Sequence, residues 1–157
     1  MKTAVIYYSY EGNSTLIAKN VASVIETDVF EIKTVDSKKR GGLAKFIWGC
    51  SQVFMNKKPA LQPLSVDMNT YDLVILGTPV WAGSPAPAIV SFLDSTRISG
   101  KKVALFCCHG GGKGKVFEKI KALLPGNTFV GEIDFKDPIK RESADLKQRL
   151  AAWVKTF

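Results

Sequence analysis

Three unbroken apolar runs punctuate the chain: Ala4-Val5-Ile6-Tyr7-Tyr8, Leu73-Val74-Ile75-Leu76-Gly77 and Val103-Ala104-Leu105-Phe106-Cys107. Runs of this length suit central parallel strands, which are covered on both faces. Between and after them, apolar positions recur at helical spacing. One set is Ile17, Val21, Val24 and Ile25, and a second is Ile89, Phe92 and Leu93. A third, Val116, Phe117, Ile120, Leu123 and Leu124, stops at Pro125-Gly126. The last is Leu146, Leu150, Trp153, Val154 and Phe157, in a helix expected to be capped near Ser143. Val29 to Ile32 and Thr128 to Phe135 alternate apolar with polar, as half-covered strands do. Strand and helix therefore take turns along the chain. This predicts an α/β fold with a single domain over residues 1–157, built on a doubly wound five-stranded parallel sheet with right-handed crossovers and helices on both faces.

The pattern is less regular from Asp36 to Pro63. A helix fits between Gly41-Gly42 and Pro59, and on a helical wheel Leu43, Phe46, Ile47, Cys50, Val53 and Phe54 share one face. That face is expected to cover the sheet. Trp48 and Met55 fall opposite, beside basic residues, either packed under the following loop or forming a patch for a partner, a dimer or a cofactor edge.

The loops that follow the three apolar strands carry the candidate chemistry. After the first comes Ser9-Tyr10-Glu11-Gly12-Asn13-Ser14-Thr15, which opens a helix. Free N–H groups at a helix N-terminus, with hydroxyl and amide donors around a glycine, suit an anion; they also suit an ordinary capped turn. The loop has no Lys or Arg, so it is no triphosphate loop of the GxxxxGK[ST] kind, and a phosphomonoester held by neutral donors fits better. After the second strand, Thr78-Pro79-Val80-Trp81-Ala82-Gly83 holds a tryptophan stiffened by Pro79 and Pro85, with Ser84 as a fair helix cap and Pro85 suited to the first helical position. A large aromatic so placed serves as a flat wall. After the third strand, Cys108-His109-Gly110-Gly111-Gly112-Lys113-Gly114-Lys115 fails both nucleotide glycine patterns. His109 and Val116 stand where GxxxxGK[ST] needs a glycine and a hydroxyl, and Lys115 where GxGxxG needs a glycine. The run reads as a loop whose backbone comes close to something flat.

Composition narrows the classes further. The chain has 157 residues, 46% of them apolar, enough for one sizeable core. Met1-Lys2-Thr3 starts no signal pattern and no apolar run reaches membrane-span length, so a cytoplasmic protein without a membrane span is expected. Cys50, Cys107 and Cys108 show neither disulfide nor zinc spacing, and no metal site is expected. With 22 basic and 14 acidic residues the net charge is +8, which favours anionic ligands or acidic partners. No nucleic-acid motif accompanies the scattered lysines, and nucleic acid is not expected as a partner. A phospho-receiver of the same architecture would need acidic residues where Ser9 and Gly77-Thr78 stand.

A phosphate loop, an aromatic wall and a glycine-rich loop at one sheet edge resemble the flavodoxin family over nearly the full length, Ser9-Tyr10-Glu11-Gly12-Asn13-Ser14 being similar to its phosphate motif S-x-T-G-x-T. The resemblance implies strand order 2-1-3-4-5 and FMN as cofactor. By the same resemblance, Ser9 to Ser14 hold the phosphate, Thr78 to Gly83 one face and edge of the isoalloxazine, and Cys108 to Gly112 the other edge. It implies an electron-transfer protein that is a monomer or weak dimer and shuttles reducing equivalents between redox partner proteins; the net charge adds acidic proteins as candidate partners. The alternative is a small FMN-dependent reductase acting on a quinone or similar acceptor, with His109 as proton donor or as an ordinary loop histidine. The chain departs from the family pattern in three places. Glu11 replaces the usual threonine and is expected to face solvent or a lysine. Ala82 stands where many members have glycine, making positive φ costlier by about 1 kcal/mol. Gly110 to Gly112 supply no second aromatic, which leaves the outer flavin face open.

Overall fold

The computed structural model describes residues 1–36, 38–141 and 144–157. Its elements are β1 Thr3–Tyr8, α1 Asn13–Ala22, β2 Asp28–Ile32, α2 Gly42–Phe54, β3 Leu73–Trp81, β4 Ser84–Pro85, α3 Pro87–Ser95, β5 Lys102–His109, α4 Val116–Leu123, β6 Thr128–Lys136 and α5 Ala144–Val154. The main strands lie in the order β2-β1-β3-β5-β6 and are parallel throughout, with β4 antiparallel to the end of β3. This is the expected topology with one short strand added. The expected cap near Ser143 lies outside the described residues.

Strand alternation sorts the core into two layers. Ala4, Ile6, Val74, Leu76, Val103 and Leu105 face α3 and α4, meeting Ile89, Phe92, Phe117 and Ile120. Val5, Leu73, Ile75, Ala104 and Phe106 point the other way, against Ile17 and Val21 of α1 and Leu150 and Trp153 of α5. Gly77 has no side chain because the Phe106 ring occupies its place; a Cβ there would lie 2.0 Å from Cζ of that ring.

Three expectations are corrected. β3 runs past Gly77 through Pro79 to Trp81, then turns back through Ala82 and Gly83, at φ 48° and 66°, into β4. Positive φ at both central residues is the condition for a tight two-residue hairpin. Ser84 and Pro85 therefore belong to a strand, and α3 starts at Pro87 with Ala86 before it. The second correction concerns α2, whose apolar wheel face does not cover the sheet: Leu43, Phe46, Ile47 and Phe54 are exposed, while Trp48 packs on the core and Gly49 is buried. Gly49 sits over Trp81, where an added Cβ would make an ordinary contact with the ring at 3.5 Å. The third concerns the glycine run, whose tightly packed member is Gly114, at φ +55° against the Gly83 backbone; Gly111 and Gly112 face open space.

Gly114 pins the hairpin, helped by the Lys115 N–H, which donates to the Gly83 carbonyl at 3.1 Å, and by Lys119 Nζ, which donates to Ser84 Oγ. Gly114→Ala would place Cβ 2.5 Å from Gly83 Cα. We expect that substitution to cost about 2 kcal/mol of unfolding free energy in urea denaturation, combining backbone strain with overpacking.

Candidate functional site

Parallel pairing sets the ends of three strands side by side. Tyr7 is in register with Gly77, and Pro79 with Cys108. The loops that leave these ends enclose a cavity of about 370 Å³. Of the residues singled out in the sequence, Ser9, Tyr10, Glu11, Asn13, Ser14, Pro79, Val80, Trp81, Ala82, Cys108, His109 and Gly110 line it.

Gly12, Thr78, Gly83, Gly111 and Gly112 are not in its wall. Gly12 makes the turn before α1 at φ 96°. Thr78 is 1% exposed; its Oγ1 accepts from the Ala86 N–H at 3.0 Å and donates to the Pro79 carbonyl at 2.8 Å, which fixes the hairpin instead of facing the cavity. Gly83 packs on Gly114.

At the start of α1 the N-cap residue, Gly12, offers no side-chain cap. Ser9 Oγ accepts from the Gly12 N–H at 3.0 Å and the Thr15 N–H at 3.4 Å, drawing the loop into a concave nest. The first-turn N–H groups have no carbonyl behind them, and they point the positive end of the helix dipole at the cavity. The Ser14 hydroxyl is buried beside the Cys108 thiol and makes no well-formed hydrogen bond. A buried polar atom left this way costs about 1–3 kcal/mol unless a ligand or water meets it. Glu11 turns to Lys45 of α2 in an ion pair, which removes the carboxylate from the nest. Asn13 Oδ1 accepts from the Ile139 N–H at 3.1 Å and ties the loop to the segment before α5.

The opposite wall is aromatic. Trp81 is half-buried and meets the rings of Tyr8, Tyr10 and Trp48 edge-on, at centroid distances of 6.1, 5.7 and 5.4 Å. Tyr10 stacks on Trp48 at 5.8 Å, and Tyr10 Oη accepts from the Arg40 N–H. Tyr10 thus lines the cavity while bracing Trp81 from behind.

His109 has a partner that sequence reasoning missed. Its Nε2 lies 2.9 Å from Asp134 Oδ2, and its Nδ1 is buried without a hydrogen bond. His109 pairs with Lys136 across the β5–β6 ladder, so alternation puts Asp134 on the same face two residues back. Also missed were Lys45, Phe46, Gly49 and Cys50 of α2 and Asp137, Ile139 and Lys140 beyond β6, all in the cavity wall. Two cations, Lys45 and Lys140, therefore reach a site expected to have none, and Phe46 adds an aromatic side chain to its wall.

Among the described residues, no cluster of His, Cys, Asp or Glu could hold a metal. Burial pushes the Cys108 thiol up to about 12, the Ser14 hydroxyl acting in the opposite direction. Burial raises Cys107 as well, and its neighbour Cys108 adds to the effect. Both thiols stay protonated in the folded chain at pH values where the unfolded chain ionises them. The contribution of Cys108 to stability is therefore complete below pH 9.0 and is lost as pH rises from there through its folded value of about 12, and that of Cys107 likewise falls as pH rises above 9.0. We expect a thiol reagent at neutral pH to modify Cys50 alone, which is half-exposed, and all three cysteines after unfolding.

The family model described as Flavodoxin matches residues 2–157. The chain is 26% identical to a flavoprotein from Lactobacillus acidophilus NCFM solved in complex with FMN, with a TM-score of 0.74 over 89% of this chain and 97% of that one. A protein described as a flavoprotein from Bacteroides uniformis ATCC 8492 superposes with a TM-score of 0.79 at 22% identity, covering 98% of this chain and 97% of the other. Two-electron reduced Megasphaera elsdenii flavodoxin shares the fold at 17% identity, with a TM-score of 0.57 over 96% and 99% of the two chains. No curated protein matches the chain. Among the described residues, no helix is long and apolar enough to cross a membrane.

Proposed function

The chain belongs to the flavodoxin family, and from that premise we propose that it binds FMN and passes electrons between redox partners. One observation carries the reading: the α1 N-terminus, whose Gly12 cap offers no side chain, with its buried Ser14 hydroxyl, and the Trp81 wall face the same cavity of about 370 Å³. Neutral donors for a phosphate and a flat surface for a ring system are the two things a singly phosphorylated flavin needs. Ser9, Asn13, Ser14 and the α1 N–H groups would hold the phosphate, with Lys140 adding charge. Pro79 to Ala82 and His109-Gly110 would flank the ring. When bound, FMN supplies the redox chemistry, and the protein supplies position and electrostatics.

Titration with FMN, read by quenching of flavin fluorescence, tests this. Saturation at one FMN per chain is expected, and no uptake by the folded protein would refute it.

The His109–Asp134 pair favours a second reading, a reductase that delivers a proton to an acceptor such as a quinone. A carboxylate 2.9 Å from Nε2 holds the imidazole in place and fixes the orientation of its ring. Anaerobic reductive titration separates the two. Reduction in resolved one-electron steps supports the carrier, and a single two-electron step with quinone turnover above that of free FMN supports the reductase.

A further inference from the structure

The face of α2 that the fold leaves outside is its most apolar one. Leu43 is 75% exposed, Phe46 63%, Ile47 64% and Phe54 79%, and Met55 at the helix end is 62% exposed. Large apolar side chains at i, i+3, i+4 and i+11 form one ridge along the helix. Contiguous apolar surface of this kind marks an interaction site. The sequence around it is basic, with Lys45 and Lys58 paired to Glu11 and Asp94 of other segments. Between Asp36 and Asp67 there is no acidic residue, while Lys38, Lys39, Arg40, Lys45, Lys57 and Lys58 all fall there. Lys38, Lys39 and Lys57 are exposed and hold no ion pair among the described residues.

We propose that α2 docks on the surface of an anionic lipid bilayer, its apolar ridge entering the interface and its flanking lysines meeting the headgroups. A second copy of this chain is the poorer occupant, because a two-fold contact through the ridge would set these lysines against their own duplicates. An acidic protein would match the charge, but it would need a groove to receive a convex ridge of four separate side chains, whereas a bilayer interface yields to that shape. An apolar face bordered by lysines is the pattern of helices that lie in the headgroup region. Lys45, Phe46, Gly49 and Cys50 belong both to α2 and to the cavity wall, so docking brings the cavity beside the membrane. Access of a lipid-soluble electron acceptor to that cavity follows only if the cavity holds FMN; the docking itself does not rest on that reading.

The test is flotation of FMN-treated protein with vesicles of phosphatidylcholine alone or with about 30% phosphatidylglycerol. Binding to the anionic vesicles is expected to be at least tenfold tighter and to weaken in about 0.5 M salt. The triple variant L43Q/I47Q/F54Q, altered outside the cavity, is expected to lose binding about tenfold or more while keeping its flavin uptake. Charge removal by K38Q and K39Q is expected to cost about fivefold per lysine. Equal binding of the parent and the triple variant, or no preference for anionic vesicles, overturns the proposal. It is also overturned by a concentration-dependent dimer in sedimentation velocity that the triple variant abolishes while vesicles stay unbound, or by retention on soluble polyglutamate without vesicle binding. Vesicle binding without flavin uptake leaves the docking in place and refutes the cavity reading instead.

Discussion

Gly77→Ala is expected to lower the unfolding free energy by about 3 kcal/mol, at the upper end of what overpacking one methyl into a core costs. The added Cβ would sit 2.0 to 2.5 Å from three atoms of the Phe106 ring. That ring is fully buried between the central strands and their helices and cannot swing aside without opening a void. Urea denaturation of the single variant measures the loss. A second substitution, Phe106→Leu, should return at least about 1 kcal/mol of it, because it removes the atoms the methyl strikes. A double-variant cycle with no coupling would show that the cost of Gly77→Ala arises elsewhere, in the backbone of β3.

Trp81→Ala is expected to weaken FMN binding about 100-fold, close to 2.7 kcal/mol. Part of this is the loss of a stacking surface, worth roughly 0.5–1.5 kcal/mol beyond area alone. The rest is indirect. Without the indole, Tyr8, Tyr10 and Trp48 lose their common contact, and Gly49 of α2 loses the ring on which it rests. Trp81→Phe keeps a ring at the wall and should stay within about fivefold of the parent. Fluorescence titration compares the three proteins, and equal affinities would mean that the indole does not face the ligand.

The parts of the molecule that were legible in the sequence are those where one physical rule acts alone. Central strands covered on both faces must be apolar without a break, so β1, β3 and β5 declared themselves, and with them the positions of the three loops. Helix α2 was misread because the wheel assumes that the apolar side faces inward. Here the inward side is made by Trp48 and by a glycine, which contributes closeness without adding hydrophobicity. The hairpin after Trp81 was hidden because Ala82 is an unusual occupant of positive φ and because Pro79 and Pro85 look like breakers rather than strand residues. Asp134 reaches His109 through the pairing of β6 with β5, and Lys140 reaches the cavity through the turn beyond it. Neither leaves a local mark, since the partners lie 25 or more residues from the residues they join. The turn through Gly12 into α1 was legible, and its use as an anion site is a proposal. What folding added was Lys45, which neutralises Glu11 from another element.

The seat of α2 on Trp81 makes residue 49 a spacer of adjustable thickness. A single methyl there would meet the indole at 3.5 Å, an ordinary contact that fills space. Anything larger must lift the helix and raise the roof of the chamber. Successive enlargement at this one position is therefore a route to redesign, meant to admit bulkier ring analogues without altering any group proposed to hold the phosphate.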